Sequence, residues 1–229
     1  MIQITNEDNM ELMARYPDGY FDLAIVDPPY GMINHHQRNK RRKGIKSYSY
    51  GSREKMAQWD KAPDPAYFEE LFRVSGYQII FEGNYFNLPP KRNFIIYHKS
   101  GVPDGFSMAA CEYAWTNITG NAVIFKYHAR PDPARFHPTQ KPVALYKWLL
   151  SKYAKPGWKI LDTGTGSGSL AIACIDMGFD LIGCERDKEY YNASMEWIQR
   201  HQAQQELFPI PEIIYQEKTL FDGGGDAGC

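Results

Sequence analysis

The stretch WKILDTGTGSGSLAIACIDMGFDLIGCERD, residues 158–187, constrains the fold more than any other. An apolar run ends at Asp162, and glycines follow at positions 164, 166 and 168. A mostly apolar run then leads to a second short one that closes on Glu185. The spacing predicts a strand over 158–161, a glycine loop over 162–168, a helix over 169–177 and a second strand over 180–184. This is a βαβ unit, the building block of α/β sheets. Gly164, Gly166 and Gly168 let the backbone turn sharply and approach a ligand. The helix that follows offers free N–H groups at its start. Ligands of open α/β sheets bind at the carboxyl ends of the strands. Glu185, 23 residues after Asp162, could take two hydrogen bonds from a ribose diol. A plain tight turn, or a nucleotide loop of another kind, also fits the glycines taken alone. The Lys-Ser/Thr of a P-loop is missing, which disfavours nucleotide triphosphates.

Five more stretches read as strands: FDLAIV (21–26), YQIIF (77–81), NFIIY (93–97), EYAWT (112–116) and AVIFKY (122–127). DPAYFEELFRVSG (64–76) reads as a helix with Asp64 as N-cap and Gly76 as stop, and KPVALYKWLLSKYA (141–154) has apolar residues at helical spacing. With 229 residues, 43% of them hydrophobic, the chain can bury the core of one α/β domain, expected over 1–221. The tail DGGGDAGC (222–229) is expected to be disordered. No apolar run reaches the roughly 18 residues of a membrane span. The start, MIQITNEDNM, lacks the basic-then-apolar pattern of a signal peptide. Cys111, Cys174, Cys184 and Cys229 show no CxxC spacing and read as reduced thiols of a cytoplasmic protein.

The formal net charge of −1 hides an asymmetry. From Pro28 to Arg53 there is no Asp or Glu, and HHQRNKRRKGIK lies inside that window. Arg38, Lys40, Arg41, Arg42, Lys43 and Lys46 are therefore candidate phosphate contacts, although most charge runs are solvated loops. The stretch 32–60 has no clear period, and loops of that length inside a domain are functional or mobile more often than not. His35 and His36 are adjacent there and form no convincing ligand cluster, so no metal is expected.

Directly after FDLAIV comes DPPYG, 27–31. Pro29 pushes Pro28, and Pro28 pushes Asp27, out of the helical region. Each proline fixes its own φ and offers a carbonyl but no N–H. The result is a stiff pair of acceptors, the Asp27 carboxylate and the Pro28 carbonyl. Such a pair suits a substrate with two donors on one atom, an exocyclic amine. Tyr30 could stack on the ring bearing that amine. A strand ending in a proline turn with a capping Asp is the plainer reading of DPP alone.

DPPY (27–30), HPTQKP (137–142) and LDTGTGSGS (161–169) occur here in that order. Together they resemble the β-class amino-methyltransferases of DNA, which use S-adenosylmethionine. In that class the catalytic motif precedes the cofactor motif, a circular permutation of the usual methyltransferase order. The resemblance spans roughly residues 4 to 200 and implies a Rossmann-like α/β fold, a mostly parallel seven-stranded sheet with one reversed strand. It implies that Asp27, Pro28, Pro29 and Tyr30 are catalytic. It implies that Asp162, Gly164, Gly166, Ser167 and Gly168 hold the cofactor's methionine part, and that Glu185 takes its ribose hydroxyls. Asp8, in NEDNMEL (6–12), would contact its adenine. His137, Thr139, Gln140 and Lys141 would cradle its carboxylate end, with Asp27 at the boundary of the two sites. FEGNYF (81–86) resembles a further pocket segment. Gly164 stands where the family usually carries Phe or another bulky residue. No separate target-recognition domain is evident, which leaves 32–60 and 99–110 as the insertions available to read DNA.

The implied reaction is methylation of adenine N6 in double-stranded DNA. Asp27 and Pro28 would hold the two amine N–H groups and stabilise the charge that develops on nitrogen. An amine paired inside a duplex cannot reach them, so the base would be flipped out. Asp at position 27 favours adenine, because cytosine-N4 enzymes of this class more often carry Ser there. Cytosine N4, an RNA substrate and an inactive cofactor-binding module are the alternatives. A homodimer is expected from the resemblance only.

Overall fold

In chain order the strands are β1 (Ile2–Thr5), β2 (Phe21–Val26), β3 (Ser75–Phe81), β4 (Phe94–Lys99), β5 (Cys111–Thr116), β6 (Val123–Tyr127), β7 (Lys159–Asp162) and β8 (Asp180–Cys184). In the computed structural model, which describes residues 1–31, 60–102, 109–128 and 135–207, they form one sheet in the order β1-β8-β7-β2-β3-β5-β4-β6. Every neighbouring pair is parallel except the two that involve β5, so β5 alone is reversed. The mostly parallel sheet with one reversed strand is present, but with eight strands where seven were expected. The strand missed is β1. Its four residues are too few for an alternation to show, and pairing with β8 from Ile2↔Leu181 to Thr5↔Cys184 makes it a strand.

Among the described residues the helices are α1 (Asn9–Ala14), α2 (Pro65–Val74), α3 (Val143–Tyr153), α4 (Ser169–Met177) and α5 (Lys188–Leu207). They cover both faces of the sheet. Leu145, Leu149 and Leu150 of α3, Leu170 and Ile172 of α4 and Ile198 of α5 pack on one face with Ile25, Ile79 and Ile160. Leu12 and Met13 of α1 and Tyr67, Leu71 and Val74 of α2 pack on the other with Ala24, Val26 and Ile80. A strand buried on both faces reads as an unbroken apolar run, which is why FDLAIV shows no alternation. Each fully buried Leu or Ile here contributes roughly 1.5–3 kcal/mol.

Asp64 caps α2 as expected, accepting from Ala66 N at 3.0 Å. Gly76 is not the stop of that helix. The helix ends at Val74, where the Ser75 hydroxyl donates back to the Leu71 carbonyl at 2.5 Å, and Gly76 is already in β3. Strands β2 and β7 are parallel neighbours, with Leu23↔Ile160 and Ala24↔Leu161. Among the described residues, the next helix after β2 is α2, which lies on the opposite face from α4, the helix after β7. A crevice therefore opens between the carboxyl ends of these two strands, the place where open α/β sheets bind ligands.

Candidate active site

A cavity of about 810 Å³ occupies that crevice, within the usual 300–1,000 Å³ of small-molecule sites. Asp27, Pro28 and Pro29 enter it from the end of β2, Gly164, Gly166 and Ser167 from the end of β7, and Glu185 from the end of β8. Asp8 comes from the cap of α1, and His137, Thr139, Gln140 and Lys141 come from the segment before α3. Segments more than 100 residues apart in sequence are thus brought to one wall. Asp162 and Gly168 do not line the cavity. Asp162 is buried behind the loop, its Oδ1 accepting from Gly164 N at 3.2 Å. Gly168 is the N-cap of α4, at φ 79°, and a Cβ there would lie 3.2 Å from Ile198 Cδ1. These two shape the loop from behind.

The loop is clamped by Glu185. Its Oε2 accepts from Gly166 N and its Oε1 from Asp187 N, both at 2.8 Å. Each oxygen keeps a further lone pair for a ligand hydroxyl. Burial raises the Glu185 pKa against those two N–H groups. Burial also pushes Asp162 up to about 7, opposed by the Gly164 N–H. His137 is pushed down to about 4 by burial and by the nearby Lys141 and Arg135 charges, so a neutral imidazole faces Gly166. Asp8 accepts from Met10 N at 2.9 Å and has Arg186 3.8 Å from its other oxygen. Gln140 Oε1 and Thr165 Oγ1, both in the cavity lining, are buried without a hydrogen-bond partner among the described residues. Buried polar atoms are rarely left so, and a polar ligand would satisfy them.

Asp27 sits at the junction of two environments. Its Oδ2 accepts from the Lys141 ammonium, whereas its Oδ1 is buried with no hydrogen-bond partner among the described residues. Lys141, 5% exposed, also meets Glu112 at 3.4 Å and lies 4.5 Å from the centroid of the Phe81 ring. Glu112 in turn pairs with Lys99 at 2.5 Å. Burial raises the Asp27 pKa, and the Lys141 charge opposes it. Burial works against the Lys141 charge as well, but Asp27 and Glu112 outweigh it and keep the lysine charged. The group is a chain of alternating charges ending in one uncommitted carboxylate oxygen.

Tyr30 does not line the cavity. Its ring lies flat on Tyr85, centroids 4.9 Å apart and planes 8° apart. Tyr85 belongs to a 3-10 turn, Gly83–Tyr85, that directly follows β3 and Glu82. The chain leaves the site at Gly31, whose N–H donates to Asp60 Oδ1 at 2.9 Å. The geometry offers a polar cleft on one side of Asp27 and an aromatic face beyond it.

The fold recurs in known proteins. A family model described as DNA methylase, of the N6/N4 methyltransferase type, matches residues 109–196. The Escherichia coli (strain K12) protein YubD is 24% identical over 220 residues, 86% of this chain and 89% of that protein. The type II methyltransferase M.HpaI of Haemophilus parainfluenzae is 38% identical over 60 residues, 26% of this chain and 19% of its own length. The crystal structure of an M1.HpyAVI–SAM complex shares the fold with TM-score 0.54 and 24% identity, covering 86% of this chain and all of that one. The cytosine-N4-specific PvuII DNA methyltransferase does so with TM-score 0.56 and 12% identity, covering 89% of this chain and 92% of that one. Residues 109–196 thus match the N6/N4 methyltransferase model, and the chain shares the fold of solved DNA methyltransferases.

Arg38, Lys40, Arg41, Arg42, Lys43 and Lys46 lie outside the described residues, as do His35, His36, Cys229 and the tail 222–229. Among the described residues, no helix is long and apolar enough to cross a membrane. Cys174 and Cys184 are buried and Cys111 is exposed, all three unpaired. Sequence reasoning missed Lys99 and Glu112, which extend the charge chain from Asp27. It also missed Tyr67, whose hydroxyl shares a 2.6 Å hydrogen bond with Thr163 in the glycine loop. Tyr67 has no local signal, because its apolar ring fits the buried face of α2.

Proposed function

We propose that this protein transfers a methyl group from S-adenosylmethionine to adenine N6 of a base flipped out of double-stranded DNA. The observation that carries the proposal is Asp27. It is a carboxylate with one oxygen fixed by Lys141 and the other buried and, among the described residues, unpartnered, at the junction of a ligand-sized cleft and an aromatic face.

The cleft residues suit the cofactor. Glu185 retains acceptor capacity for a ribose diol, Gln140 and Thr165 carry unsatisfied buried oxygens, and Gly164 has nothing within 4 Å of where a Cβ would be. S-adenosylmethionine, when bound, supplies an electrophilic methyl group. The protein's own part is to present the nucleophile. The lone pair of an exocyclic amine is delocalised into its ring. Hydrogen bonds from the two N–H groups to Asp27 Oδ1 and the Pro28 carbonyl favour a more tetrahedral nitrogen and stabilise its developing charge. The prolines keep both acceptors in place before the substrate arrives, which contributes orientation. The Lys141 charge opposes the rise that burial imposes on the Asp27 pKa. Tyr30 offers the face on which a flipped base stacks. The carboxylate at position 27 favours adenine, because the cytosine enzymes that the motif resembles more often carry Ser there.

The test is methyl transfer from radiolabelled cofactor to duplex DNA, followed by nucleoside analysis. N6-methyladenosine is the expected product, and N4-methylcytosine alone would overturn the adenine assignment. Asp27→Ala should bind cofactor as wild type does, yet lose at least ~10²-fold in single-turnover rate, the scale for losing one preorganised polar partner. A rate within about threefold of wild type would remove Asp27 from the chemistry.

A further inference from the structure

The turn that ends β3 holds an acid where a glycine would fit with less strain. Among the described residues, Glu82 is the one non-glycine residue with positive φ, at φ 53° and ψ 29°. L side chains rarely adopt this conformation and glycine adopts it freely. The turn cannot easily relax. Glu82 N donates to the Tyr113 carbonyl at 2.7 Å and Tyr85 N to the Glu82 carbonyl at 2.9 Å. A Cβ on Gly83 would lie 2.5 Å from Trp115 Cβ. A side chain retained in a strained, immobile position points to a task for that side chain.

Its position suggests the task. Strands β2 and β3 are parallel neighbours with Val26↔Ile80, so Asp27 and Glu82 leave the same edge of the sheet one and two residues later. The charged groups acting on Glu82 are Glu112 of β5, Lys141 before α3, Asp27 after β2 and Lys99 of β4. Lys141 pairs with Asp27, and Lys99 with Glu112. Two cations thus match two carboxylates, and Glu82 is the third. Among the described residues no hydrogen bond or ion pair to its carboxyl is found. Burial first, then repulsion from Glu112 and Asp27, pushes its pKa up to about 7. Near neutral pH it can therefore serve as an O–H donor, beside two groups that can only accept.

The target base presents a matching pattern. In adenine and in cytosine alike, the ring nitrogen next to the amine-bearing carbon is an acceptor. An amine held by Asp27 and Pro28 leaves that nitrogen in need of a donor, and both nearby lysines are committed. We infer that Glu82, as a neutral carboxyl, donates a hydrogen bond to this ring nitrogen of the flipped base and so helps specify it. This rests on the amine-methylation reading of Asp27. Tyr85, on the same turn and stacked on Tyr30, marks the aromatic face beside which the base would lie.

The experiment compares wild type, Glu82→Gln and Glu82→Gly on duplexes carrying the normal target base or its deaza analogue. The analogue is 1-deazaadenine, or 3-deazacytosine if that base is methylated, in which the acceptor nitrogen is a C–H. Wild type should lose about tenfold in kcat/KM on the analogue, the scale of one hydrogen bond. Its kcat/KM on the normal base should fall as pH rises through about 7. Glu82→Gln, whose amide always donates, should retain the discrimination between the two bases and lose that alkaline fall. Glu82→Gly should lose about tenfold on the normal base, treat both bases alike, and melt no lower than wild type. Discrimination that persists in Glu82→Gly, or wild-type kcat/KM in that variant, overturns this inference alone. Failure of the wild type to methylate any duplex overturns it together with the proposed function.

Discussion

Asp27 and Lys141 lie 114 residues apart in the chain and meet in one partly buried contact. The carboxylate must be ionised to accept from an amine, and burial alone would neutralise it. The Lys141 charge opposes that neutralisation. The Lys141→Met variant removes the charge and roughly keeps the volume, so the Asp27 pKa rises further. The sign follows directly: accepting capacity is present above that pKa and lost as pH falls through it. The acid limb of the single-turnover rate should therefore move to higher pH. The loss near neutral pH should be at least ~10-fold, shrinking as the solution is made alkaline. Removing one partner of a buried pair costs roughly 3–5 kcal/mol when the other stays charged. Here Asp27 can take up a proton instead, so the fall in thermal stability should be smaller at acid pH than at alkaline pH. A pH–rate profile with an unmoved acid limb would show that Lys141 does not hold Asp27 in its charged form.

At the scale of elements, the glycine loop between β7 and α4 makes a paired prediction. Gly166 has φ 50°, and a Cβ there would lie 3.3 Å from the His137 ring, whereas Gly164 has nothing within 4 Å. Gly166→Ala should cost roughly 1–2 kcal/mol for the left-handed backbone alone and weaken cofactor binding by displacing His137. Gly164→Ala should leave both nearly unchanged. Calorimetric titration and thermal melts of the two variants would check this, and equal behaviour would mean the loop is not held as described. The β7–α4–β8 unit was legible because its signals are local: apolar runs, alternate glycines, a closing acid. The helix α5 was not. Its buried residues, Tyr190, Ser194 and Ile198, are few, and most of its other side chains are polar. Asp187, whose Oδ1 accepts from Glu189 N and Tyr190 N, is the start signal that was there to be read. The Asp27–Lys141–Glu112–Lys99 chain was illegible for a different reason. It joins β2, the segment before α3, β5 and β4, and only the sheet order brings them together.

At the scale of the whole molecule, the proposed function requires a chain of net charge −1 to hold a polyanion. The answer has to lie in where its charge is placed. Gly31 and Asp60, on either side of positions 32–59, are joined by the Gly31 N–H to Asp60 Oδ1 hydrogen bond, next in sequence to Tyr30. Arg38, Lys40, Arg41, Arg42, Lys43 and Lys46 follow in sequence directly after the catalytic-motif segment 27–31, with no acid among them. If all six met phosphates, the slope of log K against log salt would be about −5, from roughly −0.9 per contact. Two to four contacts allow for side chains that point elsewhere. Changing Lys40, Arg41, Arg42 and Lys43 to Ser should then flatten the slope by about two to four units. Binding should weaken on cognate and unrelated duplexes alike, because phosphate contacts position a protein without reading bases. Cofactor affinity should hold, since the cleft residues named above come from other segments. Salt titrations of the quadruple variant beside wild type decide the matter. An unaltered slope would mean that the basic run is only solvated, and the phosphate contacts would then have to come from residues 99–110 and 128–136.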